Sequence, residues 1–395
     1  MRAVVGVLVG AVFVTLAGCG TGGSGADGKG AGPAGIVIRP GNGEQGVRAT
    51  DPVEVSVVSG RLERVRLVRS GDALNRPVPG TISPDGRRWR STAERLRGGS
   101  RYVVDAVAVD GRGRRNAHHS TFATRVPVHR FIGFFKPEHR STVGTGTIVS
   151  LEFTRPVTDR AAVERAIRVA AVPSVPVAAH WFGPRRLDFR PRHYWAPGTK
   201  VTLTLRLRGV RAAPGAYGIQ SKTVRFTIGR SQVSTVDVAA HRMRVWRDGR
   251  QLTVVPVTAG RSETPTYNGK MVVMERHDVT RMDGDTVGFG GEYDIPDVPH
   301  ALRLTRSGTF LHGNYWAPEK TFGAENTSHG CIGLRDIRGG GGSHLPTPAS
   351  WFYSNSLVGD VIEVVNSNDR TVAPDNGFGG WNMSWKAWQA GSALD

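Results

Sequence analysis

Cysteine is nearly absent from this 395-residue chain, which has only Cys19 and Cys331. Two such distant cysteines cannot form a disulfide framework, so stability must come from packed cores. Lysine is scarce as well: seven of the 52 basic residues, the rest being Arg, a bias that a GC-rich genome alone produces. Acidic residues number 33, leaving a formal charge of +19. Such a chain is drawn to polyanions, whether nucleic acid, anionic lipid or anionic wall polymers. It carries no zinc-finger, RNA-binding or helix-turn-helix pattern, which sets nucleic acid aside as a partner. With 39% hydrophobic and 22% charged residues the chain is not wholly disordered. Its 52 Gly and 23 Pro favour turn-rich β domains over helical bundles, and its length suits two to four of them.

Long apolar runs are also missing, except at the start. One charge, Arg2, precedes the run Val4–Leu16, too short to span a bilayer but suited to a signal-peptide core. The run ends in Leu16-Ala17-Gly18-Cys19, which resembles the bacterial lipobox, where the Cys is lipidated after cleavage. Residues 1–18 are therefore expected to be a lipoprotein signal peptide, Cys19 the lipidation site, and 19–35 a flexible Gly/Ser-rich tether. The rest is expected to be soluble, extracytoplasmic and held to the membrane by that lipid.

Residues 36–125 alternate apolar and polar positions in short runs such as Val53–Val57, Arg64–Val68 and Tyr102–Val107. Period-two runs between Gly, Pro and Asp turns predict half-buried strands of an immunoglobulin-like sandwich, without a Cys pair or a buried-Trp signature. Residues 126–229 repeat the pattern in Thr147–Phe153, Val201–Leu207 and Thr223–Ile228. They predict a second sandwich, with a helix over Asp159–Ala170 capped by Thr158 or Asp159. Neither sandwich gathers a His/Cys/Asp cluster, so both read as spacer or docking modules. Residues 230–367 begin with strands at Val233–Asp237, Met243–Trp246 and Gln251–Thr258, the last two joined by the turn Arg247-Asp248-Gly249-Arg250.

The chemistry gathers in residues 310–334, FLHGNYWAPEKTFGAENTSHGCIGL. A free thiol ionises near 8.5, so a neighbouring imidazole is needed to make a nucleophile of Cys331. His312 and His329 supply two candidates. Gly330 allows a sharp turn whose backbone N–H groups are placed to stabilise an oxyanion, and the Ser328 hydroxyl is placed to orient an imidazole. Spacing alone also allows His312, His329 and Cys331 as three zinc ligands, or Cys331 as an inert buried thiol.

At this point the stretch resembles the signature of the YkuD family of L,D-transpeptidases: a His, sixteen residues, then Ser328-His329-Gly330-Cys331-Ile332. The whole mature chain is similar to actinobacterial, mycobacterial-type members with two immunoglobulin-like domains. The resemblance implies a mainly β chain: two immunoglobulin-like β-sandwich domains, a β-rich catalytic domain at 230–367, and a Trp-bearing C-terminal subdomain at 368–395. It implies peptidoglycan 3→3 cross-linking between meso-diaminopimelate residues, with Cys331 carrying the acyl group and D-Ala released. Donor tetrapeptide and acceptor stems are then the partners, no cofactor or metal is needed, and a monomer is expected. By position, His312 matches the general base, and His329 the histidine supporting the thiolate. Ser307 and Gly308 match residues lining the substrate groove, and Tyr293 a lid tyrosine. Members commonly carry Asn or Arg two residues after the Cys, where this chain has Gly333, which puts donor binding in question; Arg335 is the candidate replacement. Carbapenem sensitivity is implied by the resemblance alone.

The rival reading is a cysteine L,D-carboxypeptidase or peptidase, differing only in whether water or an amine attacks the acyl-enzyme. In many wall peptidases the Cys precedes its His, so the order here favours transfer. A non-catalytic wall-binding lipoprotein conflicts with the intact His312, His329 and Cys331. Residues 275–300 read as a long Gly/Asp/Pro-rich loop suited to a lid, with His277 and His300 on the surface. Gly339–Gly342 reads as a flexible loop. Residues 351–365 suggest a short helix, a turn at Gly359-Asp360 and a last strand. Trp381, Trp385 and Trp388 are spaced to form one face of a helix docking on the catalytic domain.

Overall fold

The structure is a computed structural model and describes residues 35–126, 128–339 and 346–394. The signal peptide, Cys19, nearly all of the tether and Gly340–Gly342 lie outside the described residues. The chain divides after Val126 into two compact units. No helix among the described residues is long and apolar enough to cross a membrane.

The first unit is a sandwich of two four-stranded sheets. One pairs Ile36–Arg39, Glu54–Val57, Arg88–Ser91 and Gly80–Ile82; the other pairs Glu44–Val47, Arg115–Thr124, Arg101–Val109 and Arg61–Arg69. Inward positions such as Val55, Leu67, Val104 and Phe122 form one core. Trp89 is buried in that core, so a buried tryptophan does mark this sandwich.

The second unit opens with another sandwich, again of two four-stranded sheets, plus a small three-stranded one. In Lys200–Arg206 the alternation is clean, with Val201, Leu203 and Leu205 buried against Leu151, Phe153 and Leu187. The expected helix is shorter than its pattern. It runs Arg160–Arg165 (α1), with Asp159 Oδ1 accepting from the Ala162 N–H. Ile167–Val172 is a strand paired along its length with Lys200–Arg206. Its Ile and Val residues suit a sheet better than a helix, and cross-strand pairing overrides the helical spacing.

The same unit carries a nine-stranded sheet. Its strands in chain order are β1 (Gln232–Asp237), β2 (Arg242–Arg247), β3 (Arg250–Thr258), β4 (Gly269–Val272), β5 (Glu275–Asp283), β6 (Asp294–Arg303), β7 (Phe310–Asn314), β8 (Ile332–Arg335) and β9 (Val361–Val365). The spatial order is β4-β9-β1-β2-β3-β8-β7-β6-β5. Asp248 and Gly249 both take positive φ, the geometry of a two-residue hairpin turn. Helix α2 (Pro348–Ser354) is capped by Thr347 and buries Phe352 in the sheet's core. Residues 275–300 are not a long loop: β5 and β6 pair as a hairpin with a bulge near Thr280–Met282. Pro296, Pro299 and the glycines of the tip interrupt the alternation that would have shown it.

The Trp-bearing tail is two pieces rather than one helical face. Trp381 sits in a 3-10 turn, Gly379–Asn382; Trp385 and Trp388 sit in α3 (Trp385–Gln389), with Ser384 capping it between them. Nor does the tail dock on the catalytic sheet alone. Asn382 Oδ1 accepts from the Lys270 N–H on β4, while Trp388 Nε1 donates to Ala178 O in the second sandwich. The Arg190 guanidinium, from the second sandwich, lies 4.5–5.3 Å from the ring centres of Trp381, Trp385 and Trp388. Burial pulls its pKa down to about 10, so it stays charged at neutral pH and is held by ring faces.

A second buried cation completes the joint. Arg186 pairs with Asp188 at 2.5 Å and donates to the carbonyls of Asp375 and Gly377, with the carboxylate side chain fully buried. Removing one partner strands the other charge in a dry setting. Arg186→Met should lower stability by about 3–5 kcal/mol, read by urea unfolding of the whole chain, and adding Asp188→Leu should recover part of that loss.

Candidate active site

The site is built on the β7–β8 pair. These strands are parallel, with Leu311 opposite Ile332 and His312 opposite Gly333. Parallel strands need a crossover, here the segment from Tyr315 to Cys331 with a 3-10 turn at Glu319–Thr321. Strand pairing thus brings His312 and Cys331 into the wall of one cavity although eighteen residues separate them.

Cys331 stands just ahead of β8, half-buried, in the wall of a cavity of about 260 Å³. Its Sγ accepts from the Phe310 N–H at 3.4 Å, and its S–H points to Gly308 O at 3.7 Å. Burial pushes the thiol up to about 11, only partly opposed by the Phe310 N–H. At neutral pH the free site therefore holds the thiol, not the thiolate. His312 is buried, and its Nδ1–H donates to Gly313 O at 2.9 Å. That bond leaves Nε2 as the acceptor nitrogen of a neutral ring. Burial pulls the imidazole's pKa below its usual value, against the Gly313 carbonyl and the Asp336 carboxylate. Trp316 stacks on the ring at 5.6 Å. Both partners thus rest neutral, and the imidazole is set to take the thiol proton as the sulfur attacks.

His329 lies at the other side of the cavity, under the tip of the β5–β6 hairpin. Its Nε2–H donates to Glu292 Oε2 at 2.8 Å, and Arg261 holds the same oxygen at 3.1 Å. The His329 bond, aided by Arg261, keeps the Glu292 carboxyl below its ordinary pKa. Phe289 and Tyr293 pack against the imidazole, at 5.3 and 5.0 Å between ring centres. The hairpin tip covers the cavity as the lid reading required, although strands carry it. Gly308 lets Val287 of the tip close in: a Cβ there would lie 2.3 Å from Val287 Cγ1.

Tyr293, Gly308, Ser328, His329, His312 and Cys331 all line the cavity; Ser307, Gly330 and Gly333 do not. Ser307 is tied instead to the tail, exchanging hydrogen bonds with Asn376. Ser328 does not orient an imidazole. Its hydroxyl donates to Cys331 O at 2.6 Å and accepts from the Gly330 N–H at 3.1 Å, folding the turn around the cysteine. The Gly330 N–H is therefore engaged within the turn, while the φ of +107° at Gly330 is what demanded glycine. Gly333 is buried in β8, and Arg335 turns out to Glu319 at 3.5 Å, away from the cavity. Among the described residues no three His, Cys, Asp or Glu side chains group as metal ligands.

Two histidines read as surface residues are not simply so. His277 lines the cavity beside Phe310. His300 donates from Nδ1 to buried Asp336 at 2.7 Å, and the other carboxylate oxygen takes the Thr347 hydroxyl. Sequence reading missed Asn314, Trp316 and Glu292. Trp316 had a signal, an aromatic four residues past a candidate base; Glu292 had none, since only the hairpin fold brings it to His329.

Comparison with known proteins shows what the chain is similar to. Residues 231–364 match the family described as the L,D-transpeptidase catalytic domain, and residues 44–211 match the bacterial Ig domain. The chain is similar to L,D-transpeptidase 2 of Mycobacterium tuberculosis, 34% identical over 357 residues, covering 89% of this chain and 83% of that protein. It is also similar to L,D-transpeptidase 5 of the same species, 29% identical over 91% of this chain and 77% of that one. Among solved structures, LD transpeptidase LdtMt1 in complex with imipenem is 30% identical, with a TM-score of 0.49 over 60% of this chain and 100% of that one.

The raised thiol pKa has a direct readout. Alkylation of Cys331 by iodoacetamide in the free enzyme, followed by mass spectrometry of its peptide, should rise about tenfold per pH unit from 7 to 10. A plateau near pH 8.5 would show an ordinary thiol instead.

Proposed function

The chain belongs to the L,D-transpeptidase family and is an enzyme of that class; on this premise we propose that it joins peptidoglycan stem peptides through 3→3 cross-links. The observation that carries the proposal is that the Cys331 thiol lines the same cavity as a buried His312 whose Nδ1–H is committed to Gly313 O, leaving Nε2 to accept a proton.

The donor is a tetrapeptide stem. Cys331 Sγ attacks the carbonyl at the L-centre of meso-diaminopimelate, and His312 Nε2 takes the thiol proton. The bond to the terminal D-Ala breaks, the proton passes to the departing amine, and a thioester remains on Cys331. The side-chain amine of a second diaminopimelate then attacks the thioester, His312 takes its proton, and the thiol is restored with the new amide. Starting from neutral partners, this route creates no standing ion pair in a dry cavity. His329, held by Glu292, supports the sulfur's side of the cavity, and Tyr293 with the hairpin tip limits water, the competing acceptor. The same thiol is the target of carbapenem acylation.

The enzyme acts from the outer face of the cell membrane. Met1–Gly18 is removed, Cys19 is lipidated, and the tether lets the folded units reach into the wall. The charge of +19 suits a wall rich in anionic polymers.

A soluble chain starting after Cys19, incubated with a diaminopimelate-containing disaccharide tetrapeptide, tests this by mass spectrometry. A dimer with loss of one D-Ala, absent with Cys331→Ala, is expected. Tripeptide monomer alone would make the enzyme a carboxypeptidase. His312→Gln should slow the reaction by about a hundredfold or more, and the acid limb of kcat/KM should lie below the usual imidazole value.

A further inference from the structure

Asn314 is a polar side chain of the cavity wall, next to the reacting pair, with a donor to spare. It follows His312 by two residues on β7, so both side chains leave the strand on the same face. Both line the cavity with Cys331 and Trp316. Asn314 is only 5% exposed. Its Oδ1 accepts the Ala317 N–H at 2.9 Å, which fixes which end of the carboxamide is oxygen. Nδ2 donates no hydrogen bond among the described residues. The Nδ2–H is not among the buried atoms left without a partner, so it opens on the cavity, where an oxygen of a bound ligand can accept from it.

The neighbouring strand makes room for it. A Cβ at Gly333 would lie 3.3 Å from Asn314 Nδ2 and 2.9 Å from Thr258 Cγ2. A side chain at 333 would press on the Thr258 methyl and crowd the carboxamide, and glycine leaves both undisturbed. Arg335 pairs with Glu319 and contributes nothing here.

Resting on the transpeptidase reading above, we propose that Asn314 is a substrate-binding residue, its Nδ2–H donating to an oxygen of the donor stem peptide. Asn314 and Gly333 act as one device: the glycine vacates the space and the carboxamide fills it. The acceptor stem, which enters only after the thioester has formed, does not use this donor.

The test measures D-Ala release and dimer formation with separately varied donor and acceptor stems. Asn314→Ala should raise the donor KM about tenfold to a hundredfold with kcat within about threefold, and leave the acceptor KM in place. Asn314→Asp keeps the shape but removes the donor, and should be at least as weak. Iodoacetamide alkylation of Cys331 should stay at the wild-type rate in both, which a general collapse of the site would not allow. Gly333→Ala crowds the carboxamide, so it should raise the donor KM when Asn314 is present and much less in Asn314→Ala. An unchanged donor KM in Asn314→Ala, a shift in the acceptor KM instead, or full additivity of the two changes would overturn the inference. No D-Ala release by the wild-type chain would overturn the transpeptidase reading and this inference with it.

Discussion

The chemistry hangs on one piece of backbone, the parallel pairing of Phe310–Asn314 with Ile332–Arg335. It sets the imidazole on one strand and the thiol at the head of the next, in the wall of one cavity. Burial then acts on the two groups in opposite directions, making the thiol harder to ionise and the imidazole harder to protonate. The pair therefore waits uncharged. A nucleophile of this kind is inert until an electrophile sits against it.

The two sides of the cavity are held differently. The His312 side is braced from within: Gly313 leaves space for the Asp336 carboxylate, which gathers His300 and the Thr347 cap of α2. The His329 side is held from above by an exposed carboxylate and two rings on a glycine-rich hairpin tip. Exposed ion pairs contribute little, so this side is the less firmly held of the two.

Much of this was legible in the residues. Period-two runs marked the sandwiches, because each strand has one face to bury, and the Ser328–Ile332 motif marked the nucleophile. What failed was local pattern judged without its partner strand. Ile167–Val172 carried helical spacing yet joined a sheet; β5 and β6 hid behind Pro296, Pro299 and a glycine-rich tip; and the even spacing of three tryptophans ran across a cap at Ser384. Asn314 and Glu292 bore no local mark, since each owes its place to a neighbour brought in by tertiary pairing. Ser328 was found, but its hydroxyl serves the turn rather than a histidine.

The tail has a consequence for how the protein is made. It follows the catalytic sheet in the chain, so the ribosome delivers the second sandwich and the nine-stranded sheet before the segment that joins them. Until that segment arrives, Arg190 lacks its tryptophan faces and Arg186 lacks the carbonyls of Asp375 and Gly377. Ile148 on one side and Val272 and Met274 on the other lack the aromatic cover of Phe378, Trp381 and Trp388. Residues 375–388 are thus the seam between the second sandwich and the nine-stranded sheet, and neither packs fully without them.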